Sequence, residues 1–266
     1  MKIGAYAFPV TGKPEENLAR IREGMNRAAQ EHVRLLLFPE CALTGYPPYD
    51  ILSADAVDPI WTAETAKELQ AFCTRHGMTA VLGSVWKANG KTYDTALCFS
   101  PDGRRTEVFK QAVWGWDRDN FSEGEKDRIL VVDGLRVGIR ICYEVRFPEY
   151  FRSLYRERTD LNLVLFYDVS GNNPEERYEL MRSVLRTRAM ENICPIVSCT
   201  TAGGSQSAPT GIYGRNGRVL RELERGEEGL LVYDLVQTGL EFGEEGRKIL
   251  SDRLTGLDGK ENGDQT

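Results

Sequence analysis

From residue 2 to residue 235 the chain alternates short, strongly apolar runs with longer segments whose apolar residues return at helical spacing. That alternation restricts it to the α/β folds. Residues 2–8 read as a strand, and Pro14-Glu15-Glu16 opens a helix with proline at its first position and carboxylates in its first turn. Leu18, Ile21, Met25, Ala28, Ala29 and His32 share one face of that helix. Residues 34–39 (RLLLFP) predict a buried strand ended by proline, and 63–76 a second helix. Strands at 79–86, at 95–99 and in a run ending at Lys110 are joined by Ala88-Asn89-Gly90 and Pro101-Asp102-Gly103 turns, which predicts a meander. Two β-branched runs, 129–132 and 136–141, flank Asp133-Gly134. Beyond them lie a helix at 147–156, a buried strand at 161–167, a long helix at 174–192 and strands at 196–200, 211–213, 219–223 and 230–235. No repeat and no linker rich in Pro, Gly or Ser interrupts the pattern, so residues 1–257 are expected to form one domain. The polar stretch 258–266 (DGKENGDQT) is expected to fray. So many strands exceed what one open sheet holds without splitting, which predicts two sheets.

Charge and composition remove several function classes. Lys and Arg number 34 against 40 Asp and Glu, a net charge of −6 with no basic block, which speaks against a nucleic-acid backbone as partner. Apolar residues at 41 % and charged ones at 28 % are globular proportions, not those of a disordered chain. No apolar stretch approaches the roughly 18 residues that cross a bilayer, and the N-terminal run is too short for a signal peptide. A cytoplasmic protein without a membrane partner is therefore expected. The six cysteines form no CxxC pair, so neither a disulfide framework nor a zinc site is expected, and free thiols fit a reducing compartment. The two histidines, His32 and His76, read as surface or helix-end residues, which leaves histidine-based chemistry without a candidate.

Three segments carry more than packing requires. In FPECALTGYPPYD a strand ends at Phe38-Pro39 and places Glu40 at its rim, where poor solvation raises a carboxyl pKa into the range of a base; a solvated loop glutamate is the other reading. In EVFKQAVWGW, Lys110 ends a strand just before Trp114 and Trp116; it is either a fixed cation for a developing oxyanion or an edge-strand guard. In VGIRICYEVRFPEY a β-run delivers Cys142 to a strand–turn–helix junction, the setting of an exposed nucleophile, with a plain buried cysteine as the alternative.

The order Glu40, Lys110, Cys142, each at a strand end, resembles the Glu-Lys-Cys triad of the nitrilase superfamily of carbon–nitrogen hydrolases. RICYEVRFPEY is similar to that family's ICYDxRFPE segment, RTRAMEN to its RAxEN helix and PTGIYGRNGRVL to its later hairpin. The resemblance covers nearly the whole chain. It implies a four-layer αββα sandwich and a homodimer or higher homo-oligomer formed through helices near the nucleophile and acid segments. It also implies a cysteine-dependent hydrolase of small linear amides that needs no cofactor and no metal and releases ammonia through a thioester. Glu40 would act as base, Cys142 as nucleophile, and Lys110 with the Tyr143 backbone N–H as oxyanion donors.

The chain departs from that pattern in places. Asp117 stands where many members carry a second glutamate, and it is either its replacement or a solvated loop acid. Gln111-Ala112 replaces a common His-Leu pair, and Thr200 or Thr201 replaces an Asn. A second set of candidates for substrate or oxyanion contact comprises Trp116, Asp117, Tyr143, Glu144 and Arg146, with Trp114, Tyr46 and Tyr167 as further pocket aromatics. Arg146 would bind a substrate carboxylate or pair with Glu144 or Glu149. N-carbamoyl amide or nitrile hydrolysis by the same triad, and a non-catalytic scaffold role, are the alternative readings.

Overall fold

The computed structural model describes residues 1–257, so the expectation for 258–266 lies outside the described residues. β1 (Lys2–Ala7) places Ile3, Ala5 and Ala7 on one face and Tyr6 on the other, and both faces are dry. α1 (Pro14–Gln30) leads to β2 (Leu35–Leu37), where Leu35 and Leu37 face one side and Leu36 the other. A strand covered on both faces reads as an unbroken apolar run, which is the reason RLLLFP shows no alternation. α2 (Pro59–His76), β3 (Thr79–Ala88), β4 (Lys91–Phe99), β5 (Arg105–Phe109) and the short α3 (Asp117–Asn120) complete the first half. The second half contributes β6 (Leu130–Val132), β7 (Leu135–Ile141), α4 (Pro148–Arg156), β8 (Leu161–Leu165) and α5 (Pro174–Glu191). It continues through β9 (Ile196–Cys199), β10 (Gly211–Tyr213), β11 (Val219–Glu222), β12 (Gly229–Asp234) and α6 (Phe242–Thr255).

Among the described residues these strands form two six-stranded sheets, ordered β12-β1-β2-β3-β4-β5 and β11-β10-β9-β8-β7-β6. β1, β2 and β3 run parallel, β3 to β5 form the expected meander, and β7, β8 and β9 run parallel in the second sheet. The inner faces meet in one core, where Leu35, Leu37 and Val81 pack in the same cluster as Val137, Ile139 and Leu163. Outside the first sheet, Tyr6, Leu36 and Phe38 pack on Ile21 and Met25 of α1 and Leu69 of α2. Outside the second, Val164 and Phe166 pack on Phe151 of α4 and on Met181 and Leu185 of α5. The layers are therefore α, β, β, α, as the family resemblance implies. Burying each such side chain contributes roughly 1.5–3 kcal/mol.

Differences from the sequence reading have local causes. α2 begins at Pro59 rather than at 63, because the Asp58 side chain accepts the Ile60 and Trp61 N–H groups (2.8 and 3.3 Å) and Pro59 takes the first helical position. α6 follows the last strand where the sequence offered no apolar stripe; Phe242 and Leu254 are exposed, and polar bonds to α4 hold it. His32 is exposed and adopts a left-handed backbone just past the end of α1. No helix among the described residues is long and apolar enough to cross a membrane.

Candidate active site

The C-terminal rims of β2 and β8 touch through Glu40. Its backbone N–H donates to the Phe166 carbonyl (3.2 Å), and its Oε2 accepts the Tyr167 N–H (2.6 Å), so one residue links the two sheets. The chain can turn there because β3 passes it as a bare backbone. A Cβ on Gly83 would lie 2.3 Å from the Pro39 oxygen and 2.5 Å from the Glu40 Cα. Glu40 is 0 % exposed, which excludes the solvated loop acid.

Lys110 follows β5, and its N–H donates to the Asp94 carbonyl (2.9 Å) in continuation of the β4–β5 ladder. Its side chain turns inward, 1 % exposed, and the ammonium lies 2.7 Å from Glu40 Oε1, 2.9 Å from Asp117 Oδ2 and 3.1 Å from Asp94 Oδ2. An edge-strand guard would face water; this lysine fills the space between three carboxyl groups. Burial alone would lower its pKa, but Glu40, Asp94, Cys142 and Asp117 together outweigh burial and the net shift is upward. Glu40 is pushed well above the usual carboxylate range by burial, opposed by Lys110 and reinforced by Asp94 and Asp117.

Cys142 follows the last residue of β7 and opens a 3-10 turn, Cys142–Arg146, that leads into α4. Its φ of 46° is left-handed, a strained setting for a residue with a Cβ and one found at functional turns. It is the partly exposed member of the six free cysteines; Cys41, Cys73, Cys98, Cys194 and Cys199 are buried. Its low-dielectric surroundings raise the thiol pKa well above the ordinary value, Glu40 adds to the rise and Lys110 opposes it. A thiol in such a setting needs a base before it can act as a nucleophile.

Cys142 and Lys110 open into a cavity of about 340 Å³. Tyr143, Trp116, Asp117 and Arg146 line it, as do Trp114, Tyr46 and Tyr167. Tyr46 and Tyr167 stack at 4.8 Å, and Tyr49 meets Trp116 edge-on at 5.6 Å, so one wall is aromatic. Asp117 is nearly buried and accepts the Tyr46 hydroxyl (2.5 Å) besides pairing with Lys110, so it is no solvated loop acid. Arg146 pairs with neither Glu144 nor Glu149; among the described residues it forms no ion pair, and its guanidinium lies over the Tyr143 ring at 5.2 Å. Glu144 is not on the cavity wall. It is buried, and its two oxygens accept the Gln111 and Ile141 N–H groups.

Three features escaped the sequence reading. Asp94 lies inside β4, and its only signal is an acid between Tyr93 and Thr95 in an otherwise buried strand. The Tyr167 N–H that holds Glu40 carries no side-chain signal at all. Asp168 grips Arg177 through two bonds (2.6 and 2.9 Å), and both residues line the cavity opposite nothing that the linear sequence places near them.

Known proteins resemble this chain in sequence and fold. The chain is 29 % identical over 238 residues, 86 % of its length and 88 % of the relative's, to a protein of Bacillus subtilis (strain 168) named 2-oxoglutaramate amidase. It is 27 % identical over 220 residues, 75 % of this chain and 77 % of the other, to the deaminated glutathione amidase of Synechocystis sp. (strain PCC 6803 / GT-S). The fold is shared with a solved amidase from Nesterenkonia sp., at a TM-score of 0.78 and 24 % identity over 88 % of this chain and 90 % of that one. The carbon-nitrogen hydrolase pattern matches residues 2–241, and with that match the chain belongs to the carbon-nitrogen hydrolase family and is an enzyme of C–N bonds.

Proposed function

We propose that this enzyme is a cysteine-dependent amidase that hydrolyses a small linear amide and releases ammonia. The observation that carries the reading is the buried Glu40–Lys110 pair, 2.7 Å apart, set against the cavity into which Cys142 opens. Glu40 takes the Cys142 proton as the sulfur attacks the amide carbon, and the oxyanion is met by Lys110 and the Tyr143 backbone N–H. Glu40 then gives that proton to the nitrogen as the C–N bond breaks, and ammonia leaves a thioester. Water passes a proton to Glu40 and adds to the thioester, the C–S bond breaks, and the proton returns to sulfur. Asp117 keeps Lys110 in place from the cavity side, and Trp116 closes over the substrate.

The relatives named for 2-oxoglutaramate and deaminated glutathione suggest an amide that also bears a carboxylate, as in ω-amidase chemistry. Arg146, on the cavity wall and without a carboxylate partner among the described residues, is the residue suited to it. We also propose a homodimer formed through α4 and α5, since Leu180 and Met190 of α5 and Phe147 at the start of α4 are exposed, and a cytoplasmic location, in keeping with six unpaired thiols.

Ammonia release from a panel of 2-oxoglutaramate, simple aliphatic amides, N-carbamoyl amino acids and nitriles tests the reading. Amides are expected to react, and Cys142→Ala to abolish release while the protein stays folded. Full activity in Cys142→Ala, or turnover of nitriles alone, would overturn it. Iodoacetamide is expected to label Cys142 ahead of the five buried thiols.

A further inference from the structure

One cation in this site faces three carboxyl groups. Glu40, Asp94 and Asp117 all lie within 3.1 Å of the Lys110 ammonium, and Glu40, Asp94 and Lys110 are buried almost completely. With all three acids ionised the cluster would hold two uncompensated negative charges away from water, an arrangement that costs several kcal/mol unless a proton is kept. Asp117 belongs to the cavity wall, whereas Asp94 touches no part of it. Asp94 sits behind Lys110 on β4, with the Cys41 sulfur 3.7 Å from its other oxygen.

A lone Lys110 at 2.7 Å would make Glu40 a weak base, because an adjacent cation favours the ionised carboxylate. The thiol that Glu40 must deprotonate is itself a weak acid in this setting, so a weak base would leave the proton transfer far uphill. We propose that Asp94 is a positioning residue that offsets the charge of Lys110 and so keeps Glu40 basic enough to accept the Cys142 proton. Lys110 thereby stays protonated and available to the oxyanion without stripping Glu40 of its proton affinity. The ionisable groups packed around Glu40 are Lys110, Asp94 and Asp117, with Cys41 and Tyr46 beside it and Cys142 across from it. The like charge of Asp94 acts on Glu40 in the same direction. The proposal rests on the reading of Glu40 as the base.

The test is the pH profile of kcat/KM, and of iodoacetamide labelling at Cys142, for wild type, Asp94→Asn and Glu40→Gln. Asp94→Asn is expected to move the acid limb of both profiles to lower pH by about one unit. It is also expected to lower the plateau rate by about three- to tenfold, since a weaker base transfers the proton less well. A residue that only supports the fold would lower the rate and leave the limb in place. A limb that stays put or moves to higher pH in Asp94→Asn, while Glu40→Gln is inactive, overturns the role of Asp94 alone. Activity retained in Glu40→Gln overturns the reading beneath it. Should Asn at this position prevent folding, Asp94→Ser removes the same charge with a smaller side chain and carries the same two expectations.

Discussion

Gln111 and Ile141 are held together by a single carboxyl group. The two oxygens of Glu144 accept their backbone N–H groups at 2.6 and 2.8 Å, so the residue after Lys110 and the residue before Cys142 share one clamp. Hydrogen bonds to charged groups are worth about 1.5–3 kcal/mol, and a glutamine here accepts through one oxygen only. Glu144→Gln is expected to lower kcat by roughly 10- to 100-fold with a much smaller change in KM. Steady-state kinetics on the folded variant check this, and a rise in KM alone would place Glu144 at the substrate instead.

Gly83 lets the turn at Glu40 lie against β3. Gly83→Ala puts a methyl group into the Pro39 carbonyl and the Glu40 Cα, both of them backbone, so the rim must shift. A loss of about 1–3 kcal/mol in stability is expected from urea unfolding, with reduced kcat in the molecules that remain folded.

The Glu40 carboxyl binds its proton more tightly in the folded enzyme than in the unfolded chain. The stability it contributes is complete below the ordinary carboxylate range and is lost as pH rises toward its raised folded value. Each pH unit within that window removes about 1.4 kcal/mol. Glu40→Gln is uncharged throughout, so its Tm is expected to exceed that of wild type on the alkaline side of the window, and the gap to close at low pH. Thermal unfolding across a pH series measures the difference.

Arg146 presents to the cavity a guanidinium that lies over the Tyr143 ring and has no carboxylate partner among the described residues. Arg146→Gln is expected to raise KM for a carboxylate-bearing amide by about 10- to 100-fold and to leave a neutral amide of similar size nearly unaffected. Equal losses on both substrates would remove Arg146 from carboxylate recognition.

α6 is fastened by Asp252, which accepts the Tyr155 hydroxyl (2.6 Å), Arg158 (2.5 Å) and Lys248 (2.9 Å). Burial opposes ionisation there, but the bonds from Arg158, Tyr155 and Lys248 win and hold the carboxyl well below the usual range. Its stabilising effect is present above the ordinary carboxylate range and is lost as pH falls toward its depressed value. Asp252→Asn is expected to cost about 1–3 kcal/mol at neutral pH and nothing in strong acid, as read from urea unfolding at two pH values.

Much of this was legible in the linear chain. Runs such as RLLLFP and LNLVLF marked strands covered on both sides, and Cys142 stood out as a cysteine at a strand–turn–helix junction. Strand count alone required two sheets, and the Pro14-Glu15-Glu16 opening marked the start of α1. These features are local: they depend on periods of two or 3.6 residues and on the backbone preferences of proline and glycine.

What the linear chain left open depends on distances between residues far apart along it. Asp94 and Lys110 are separated by 16 residues, Glu40 and Lys110 by 70, and Glu40 and Tyr167 by 127, yet each pair is in hydrogen-bond contact. Only the packed sheets decide that Glu144 faces two backbone N–H groups rather than the cavity, that Asp117 is buried, and that Arg146 lacks a carboxylate partner among the described residues. Charge–charge energies scale inversely with separation and with local dielectric, and a sequence specifies neither until the chain has closed around the groups. The sequence by itself determined that the strands need two sheets and put Cys142 forward as the candidate nucleophile; the tertiary structure decided which charged groups surround that sulfur and how deeply each is buried.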